Sequence, residues 1–324
     1  MIVAFHPAEL ARAADVLRSG GLVAFPTETV YGRGARADQS AAVRAIYSAK
    51  GRPAKNPCIV HAPSADAAFR LAAHVPAAAR VLAERFWPGP LTLVLEARAD
   101  LVAPEVTAGG PTIALRVPSH PIARALLERV GLPIAAPSAN RSTAISPTSA
   151  EHVEKSLGPS VLVLDGGRTD FGIESTILDV TTSPAAVLRA GSIPAAALAE
   201  FLEIQDFSSR SDAHDASTQA LRAPGTMARH YAPRVPLTLV ASDALSACPA
   251  DRTAFVVHSS APVPDRAAPV VRLPGDPQGY ARELYATLHH LEDAGLSAIV
   301  VEAPPPDRTW DAVRDRLRRA SHAP

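Results

Sequence analysis

Between residues 22 and 61, a four-residue apolar run, Leu22-Val23-Ala24-Phe25, stops at Pro26 and gives way to a polar turn and an amphipathic helix. A cationic loop and a second apolar run ending at His61 follow. The unusual polar residues all fall at the connections, and an open α/β sheet is the architecture that gathers connections of this kind along one edge. In the turn, Thr27, Glu28, Thr29 and Tyr31 offer hydroxyls, a carboxylate and a phenol, and Gly34 permits close backbone approach. The helix carries Val43, Ile46 and Tyr47 on one face at 3.6-residue spacing, with Asp38 or Ser40 as its expected N-cap. Gly51 stops it, so Lys50 and Arg52 flank a helix C-terminus, and Asn56 and His61 follow. Each residue alone has an ordinary role as a turn cap, a dipole complement or a half-buried histidine. Their clustering favours a site. Lys50 is one of only three lysines in an arginine-rich chain, and it stands where a point charge beside a bidentate fork can hold phosphate or carboxylate.

The alternation continues downstream. Residues 8–19 read as a short amphipathic helix ended by Gly20-Gly21, Ser64 opens another, and Pro76 starts a third carrying Val81, Leu82 and Phe86. Trp87, in the rigid turn FWPGP, reads as a core anchor before the strand 91–95. Residues 112–117 alternate as a strand with Arg116 on the face opposite Ile113 and Leu115. An arginine there is either paired to a carboxylate or holding a ligand, because an unpaired buried cation is too costly. Ser119 is the expected cap of a helix ending at Val130. The strand 132–136 then opens into a loop of small and polar residues that includes Ser138 and Asn140. Ser146 follows, Thr148-x-x-Glu151 reads as a capping box, and 161–165 is a buried strand. Glu174-Ser175-Thr176 leads into a strand to Val180, and 187–189 is a last strand with Arg189 at its end.

The composition changes at Glu203. Residues 205–223 are polar and rich in serine and aspartate, as in a linker, and APGTMARHYAP (223–233) then sets an aromatic and two basic side chains among prolines and glycine. From 237 a second α/β rhythm begins, with strands at 237–240, 253–257, 270–273 and 297–301 and a helix over 278–293. Trp310, Val313 and Leu317 are expected to face inward, and Arg314, Arg316, Arg318 and Arg319 to form a solvated face. No catalytic cluster is visible in this half. The organisation expected is a large domain over 1–203, a linker over 204–236 that contributes to the active site, and a small domain over 237–324.

With 324 residues and equal numbers of acidic and basic side chains, the chain can bury a large core and carries no global field for nucleic acid, so any anion site is local. Cys58 and Cys248 make no disulfide framework, and no Cys/His pair has zinc-ligand spacing. The first residues lack a signal-peptide pattern and no apolar run approaches the ~20 residues of a membrane span, which fits a cytoplasmic protein. Walker loop, GxGxxG fingerprint, nucleophile elbow and metalloprotease helix are all missing. The cations, hydroxyls, amide and histidine that remain suit a small zwitterion held beside a polyanion.

FPTETVYG, KGRP with the downstream NPCIVH, FWPGPLTLVL, TIALRVP, APSANRS and ESTILDV occur in this order over residues 20–192. Together they resemble the YrdC-type threonylcarbamoyl-adenylate synthase family, whose paired signature matches Lys50-x-Arg52 and Ser138-x-Asn140. APGTMARHYAP before a small α/β domain resembles the long, two-domain form. The resemblance implies an open, twisted mixed sheet with a concave cleft and a smaller Rossmann-like C-terminal domain. It also implies synthesis of L-threonylcarbamoyl-adenylate and pyrophosphate from L-threonine, bicarbonate and ATP, with Mg²⁺ on the phosphates. A separate tRNA threonylcarbamoyl transferase would act downstream, and neither a membrane nor a stable nucleic-acid complex is implied. The family pattern puts threonine contacts on Thr29, His61, Arg116 and Ser175. It puts ATP contacts on Arg52, Asn56, Thr112, Ser138, Asn140, Ser146, Arg189 and Tyr231. Lys50 and Arg52 are the implied catalytic cations, with Lys50 nearest the reacting carbamate and phosphate, and no metal ligand is assigned. Two departures stand out: Arg33, where the family usually has leucine, is expected to point to solvent, and Cys58 stands where leucine is common. The rival reading is a module that binds double-stranded RNA or a ribosome precursor in the same cleft without chemistry, and the near-neutral charge argues against it.

Overall fold

The computed structural model describes residues 1–205, 223–225, 227, 229–264 and 269–322. The polar stretch 206–222, expected as linker, lies outside the described residues. The chain begins with β1 (Ile2–Ala4), α1 (Pro7–Arg18), β2 (Val23–Phe25), β3 (Gly32–Arg36), α2 (Ser40–Lys50) and β4 (Ile59–His61). It continues through α3 (Ala65–Phe69), α4 (Ala77–Phe86), β5 (Leu91–Glu96), β6 (Thr112–Arg116), α5 (Pro121–Val130) and β7 (Ile134–Ala135). Next come α6 (Ala150–Leu157), β8 (Leu162–Asp165), β9 (Thr176–Asp179), β10 (Ala185–Arg189), α7 (Ala195–Ala199) and β11 (Ile204–Gln205). These described strands form one 11-stranded sheet in the order β1-β8-β2-β3-β7-β4-β6-β5-β9-β10-β11, with parallel and antiparallel neighbours mixed.

The register explains why the polar connections meet. Phe25 pairs with Gly32, so the turn between β2 and β3 closes at the same edge as His61 and Arg116, which are cross-strand partners in the parallel pair β4–β6. Leu91 pairs with Thr176, which brings Ser175 to the start of β5. Gly34 does make a close approach, to Phe25 and Ile134: a Cβ there would lie 2.8 Å from each. The central strands β5 and β6 are apolar on both faces because helices cover one face and the cleft elements the other. Trp87 is buried against Phe69 and donates its indole N–H to the Leu91 carbonyl at 2.7 Å, as a core anchor should.

Three helix starts differ from the sequence expectation. Gln39 precedes α2 without a side-chain cap, since Asp38 is engaged by Arg36 at 2.8 and 3.0 Å. His120, not Ser119, caps α5, and the Ser119 amide donates to Glu28 at 3.0 Å. Ser149, one residue beyond Thr148, caps α6 by accepting from the His152 amide.

The second sheet is wholly parallel among the described residues. It contains β12 (Leu237–Val240), β13 (Thr253–Val257), β14 (Val270–Arg272) and β15 (Ala298–Glu302) in the order β12-β15-β13-β14, covered by α8 (Pro277–Glu292) and α9 (Asp311–Ala320). The strand and helix positions follow the sequence rhythm, and Trp310, Val313 and Leu317 are buried as expected. Val30, Ile145 and Ile173 of the first unit and Tyr231 of the connection share one apolar cluster with Tyr280, Tyr285, Trp310 and Leu317 of the second. Burial of each such side chain contributes about 2 kcal/mol before entropy, so the seam between the units is a core and not a loose contact.

Candidate active site

A cleft lies at one edge of the large sheet, lined by the β2–β3 turn, the ends of β4 and β6, the Ser138 loop, Glu174, Arg189 and, from the connection, Pro224, Gly225, His230 and Tyr231. At one end, Arg116 is buried and fully supported. It pairs with Glu28 at 2.6 Å and donates to the Thr29 hydroxyl at 2.9 Å and to the Gly89 carbonyl at 3.3 Å. A guanidinium carries five N–H donors, so two remain to face a ligand. Of the two alternatives expected for this arginine, the structure shows the carboxylate partner, and the residue also lines the cleft. Beside it, His61 is buried with Nδ1 unpartnered, and burial together with the Arg116 charge pushes its pKa down to about 3. His61 is thus a neutral imidazole at physiological pH, able to donate or accept one hydrogen bond toward the cleft. Ser175 shares a hydrogen bond with Thr92 at 2.8 Å and accepts from Arg189 at 3.0 Å.

The other wall is cationic. Arg52 spreads over the loop after α2, donating to the Asn56 carbonyl at 2.9 Å and to the Asn56 side-chain oxygen at 2.8 Å. Arg189 holds the Ser175 carbonyl with two nitrogens, at 3.1 and 3.0 Å. Tyr231 is buried with φ +60° and its hydroxyl has no partner, while His230 packs 4.0 Å from it, centroid to centroid. Gly225 makes room for that hydroxyl: it has φ +81°, and a Cβ there would sit 2.3 Å from the Tyr231 oxygen. Burial also pushes His230 down to about 3, so it too is neutral.

Six of the site residues singled out from sequence do not line the cleft: Asn56 and Ser175, each hydrogen-bonded to an arginine that does, and Lys50, Asn140, Thr112 and Ser146. Lys50 is buried behind the Ser138 loop, where its ammonium donates to the Ser138 and Asn140 carbonyls and to the Asn140 side-chain oxygen at 3.3 Å. Asn140 in turn donates to the Ala144 carbonyl at 2.7 Å, so the Lys50/Asn140 pair shapes the loop that presents Ser138. Burial, then Arg52, then Arg33 depress the Lys50 pKa well below that of an ordinary lysine. Thr112 begins β6, at the strand end opposite Arg116. Ser146 is buried one layer back, donating at 2.5 Å to Glu174.

Two sequence expectations are overturned. Arg33 does not point to solvent: it is 8% exposed, on the same strand as the glycines that pack against Phe25, and its Nε has no partner. Strand alternation sends its side chain to the face covered by α2, opposite Gly32 and Gly34. Nor is the arginine run of α9 a uniformly solvated face. Arg316 is 0% exposed and pairs with Glu174 and Asp315, both at 2.8 Å, because it shares a helix face with Val313, Leu317 and Ala320. Arg319 is also mostly buried, holding Asp315 at 3.0 Å and the Met227 carbonyl.

Glu28, Glu174, Arg316 and Tyr285 are the functional neighbours that reading the sequence missed. Glu28 and Glu174 lie inside the quoted FPTETVYG and ESTILDV motifs and could have been flagged as counter-ions for buried arginines, which they are, for Arg116 and Arg316. Tyr285 carried no signal and Arg316 only its helical spacing from Val313 and Ala320; their shared partner is more than a hundred residues upstream.

An open mixed sheet with a buried cationic cleft, closed from one side by a connection and a parallel α/β unit, defines a class of two-domain small-molecule sites. Comparison with known proteins gives the family. The Sua5/YciO/YrdC family model, described as telomere recombination, matches residues 15–191, and the model for the C-terminal domain of threonylcarbamoyl-AMP synthase matches 193–322. A threonylcarbamoyl-AMP synthase of Pyrococcus abyssi is 39% identical over 327 residues, covering 95% of this chain and 93% of that one. One of Bacillus subtilis is 44% identical over 233 residues, covering 71% and 66%. The crystal structure of Pyrococcus abyssi Sua5 complexed with L-threonine superposes with a TM-score of 0.88 at 36% identity, over 99% of this chain and 97% of that one. The chain belongs to the Sua5/YciO/YrdC family, in its threonylcarbamoyl-AMP synthase branch with the C-terminal domain.

Proposed function

We propose that this protein is a nucleotidyltransferase that makes L-threonylcarbamoyl-adenylate and pyrophosphate from L-threonine, bicarbonate and ATP, the activated group being destined for a tRNA. The observation that carries the reading is a single cleft with two unlike ends. One end is a supported arginine with hydroxyls and a neutral histidine, which suits an amino acid. The other has Arg52 and Arg189, neither paired to a carboxylate among the described hydrogen bonds, which suits phosphates.

The chemistry balances with these residues. The threonine amine and bicarbonate give a carbamate and water; a carbamate oxygen then bonds to the α-phosphorus as the bond to pyrophosphate breaks. The attacking oxygen is already an anion, so no activated serine or cysteine is needed, and positioning with charge stabilisation suffices. Arg116 would take the threonine carboxylate, with Thr29, His61 and Ser175 around the amine and hydroxyl. Arg52, Asn56, Ser138, Arg189 and Tyr231 would take the nucleotide. Lys50, with Asn140, would act by holding the Ser138 loop against the reacting phosphate, and Thr112 and Ser146 would support from behind. Magnesium would arrive with ATP, neutralising its phosphates. Among the described residues no three His, Cys, Asp or Glu side chains converge, and both cleft carboxylates are engaged by arginines, which suits an ion that keeps its own waters. The segment around Tyr231 would shield the labile mixed anhydride from water. A separate transferase would then carry the group to tRNA, in the cytoplasm. No helix among the described residues is long and apolar enough to cross a membrane.

The test is pyrophosphate release from ATP by the full chain. Release that requires both L-threonine and bicarbonate, with serine a poor substitute, supports the reading; release independent of the amino acid sinks it.

A further inference from the structure

Glu174 sits in the lining of the cleft, between the residues assigned to threonine and those assigned to ATP, and yet its partners come mainly from elsewhere. One carboxylate oxygen accepts from Ser146 at 2.5 Å; the other accepts from Arg316 at 2.8 Å and from Tyr285 at 3.1 Å. Burial alone would push this carboxyl up, but Arg316 and Arg189, with the Ser146 hydroxyl, outweigh it and hold the group at about 2. Arg316 does more than pair. Its guanidinium lies 4.8 Å from the Tyr231 ring centroid and donates to the Ala190 carbonyl at 2.9 Å, next to Arg189. Tyr285 also stacks on Tyr231, with centroids 5.9 Å apart. Two side chains of the second unit thus touch Glu174 and Tyr231, and one of them the backbone beside Arg189.

We propose that Arg316 and Tyr285 of the C-terminal domain are positioning residues for the nucleotide site: by neutralising and fixing Glu174 they let the cleft accept a polyphosphate. The inference rests on the reading of the cleft as an ATP site. A fixed carboxylate facing triphosphate repels it, and in a poorly solvated cleft that repulsion is strong. Arg316 offsets the charge, while Asp315, its other partner, is itself held by Arg319. Both Arg316 and Tyr285 pack on the ring of Tyr231, whose backbone is left-handed. Ser146 spends its only proton on Glu174 and so helps hold the carboxylate from behind the cleft lining. The second domain is then part of the binding machinery of the first.

The experiment titrates Mg·ATP into the full-length protein by calorimetry, for wild type, Arg316→Met, Glu174→Gln and the double variant, with kcat and KM for ATP measured alongside. Arg316→Met is expected to weaken ATP binding by about tenfold or more, from the loss of a charged hydrogen-bonded partner. Adding Glu174→Gln, which removes the uncancelled charge, is expected to restore most of that affinity. A merely structural arginine would lower the active fraction, hence kcat, without changing KM, and the second substitution would not rescue it. Wild-type ATP affinity in Arg316→Met, or a double variant no tighter than Arg316→Met, overturns the proposal. Should Arg316→Met not fold, Tyr285→Phe removes one hydroxyl without a cavity. About threefold weaker ATP binding is then the expected result, and unchanged affinity overturns the proposal. Pyrophosphate release by the wild type that needs no threonine would fail the underlying reading instead, and is read separately.

Discussion

Two buried guanidinium–carboxylate pairs stand in the lining and wall of one cleft, and they are built in opposite ways. Arg116–Glu28 joins the end of β6 to the β2–β3 turn of the same sheet, at 2.6 Å, and both partners belong to the first domain. Arg316–Glu174 joins the last helix of the second domain to the first, at 2.8 Å. The first pair aims an arginine at the ligand and uses its carboxylate as backing. The second reverses the roles, with the carboxylate in the cleft and the arginine behind it. A buried pair is weak evidence of stability, because desolvation offsets its attraction, but losing one partner is costly. The two pairs therefore report on different functions, and substitutions can separate them.

The most damaging way to probe the contrast is Arg116→Ala. It strips Glu28 of its partner and removes the amino-acid anchor, so we expect threonine-dependent pyrophosphate release to fall by about 100-fold or more. Stability should drop by about 3 kcal/mol or more in a denaturant titration. ATP affinity should hold within a few-fold; an equal loss of ATP affinity would erase the distinction between the two ends. Ser175→Ala lies between the pairs, since its hydroxyl meets Thr92 and Arg189. About a tenfold rise in KM for threonine, with kcat little changed, is the expected outcome.

Acid sharpens the contrast along another axis. His61 beside Arg116 and His230 beside Tyr231 are neutral, each with a folded pKa of about 3 against an ordinary 6.5. A depressed histidine contributes stability that is full above pH 6.5 and is lost as pH falls toward 3, because the unfolded chain takes up the proton first. Each should cost on the order of 1 kcal/mol per pH unit below 6.5. Glu174, held at about 2, loses its contribution only as pH falls from its unfolded value near 4.5 toward 2. Unfolding free energies measured between pH 7 and 4 should thus fall steadily while the domain-spanning pair still holds; a flat profile would show the histidines to be solvated. The smallest effect expected is a gain. Arg33 is a buried cation with an unpartnered Nε, so Arg33→Leu should raise stability by about 1 kcal/mol in the same titration.

The contrast also shows what could be read from the chain alone. The strand rhythm, the punctuation by glycine and proline and the placing of Arg116 in an apolar strand are local signals, and an α/β sheet with its polar connections gathered at one edge followed from them. The cleft, in contrast, came from the family resemblance, and the counter-ion of Arg116 was not named. The helix cap at Asp38 failed because a neighbouring side chain, Arg36, claims its carboxylate. Arg316 was misread because a row of arginines on a short helix looks solvated until its counter-ion is known. The clue was its position three residues after Val313 and four before Ala320. Arg33 was misread by attending to its charge and not to strand alternation, which turns it toward α2.

The apolar cluster that joins Val30, Ile145 and Ile173 to Tyr285, Trp310 and Leu317 bears on how the chain comes apart. Two units with separate cores melt separately, whereas units that share one core lose it together. Calorimetry of the whole protein should accordingly give one endotherm whose van't Hoff and calorimetric enthalpies agree, with no plateau in which the large sheet survives alone.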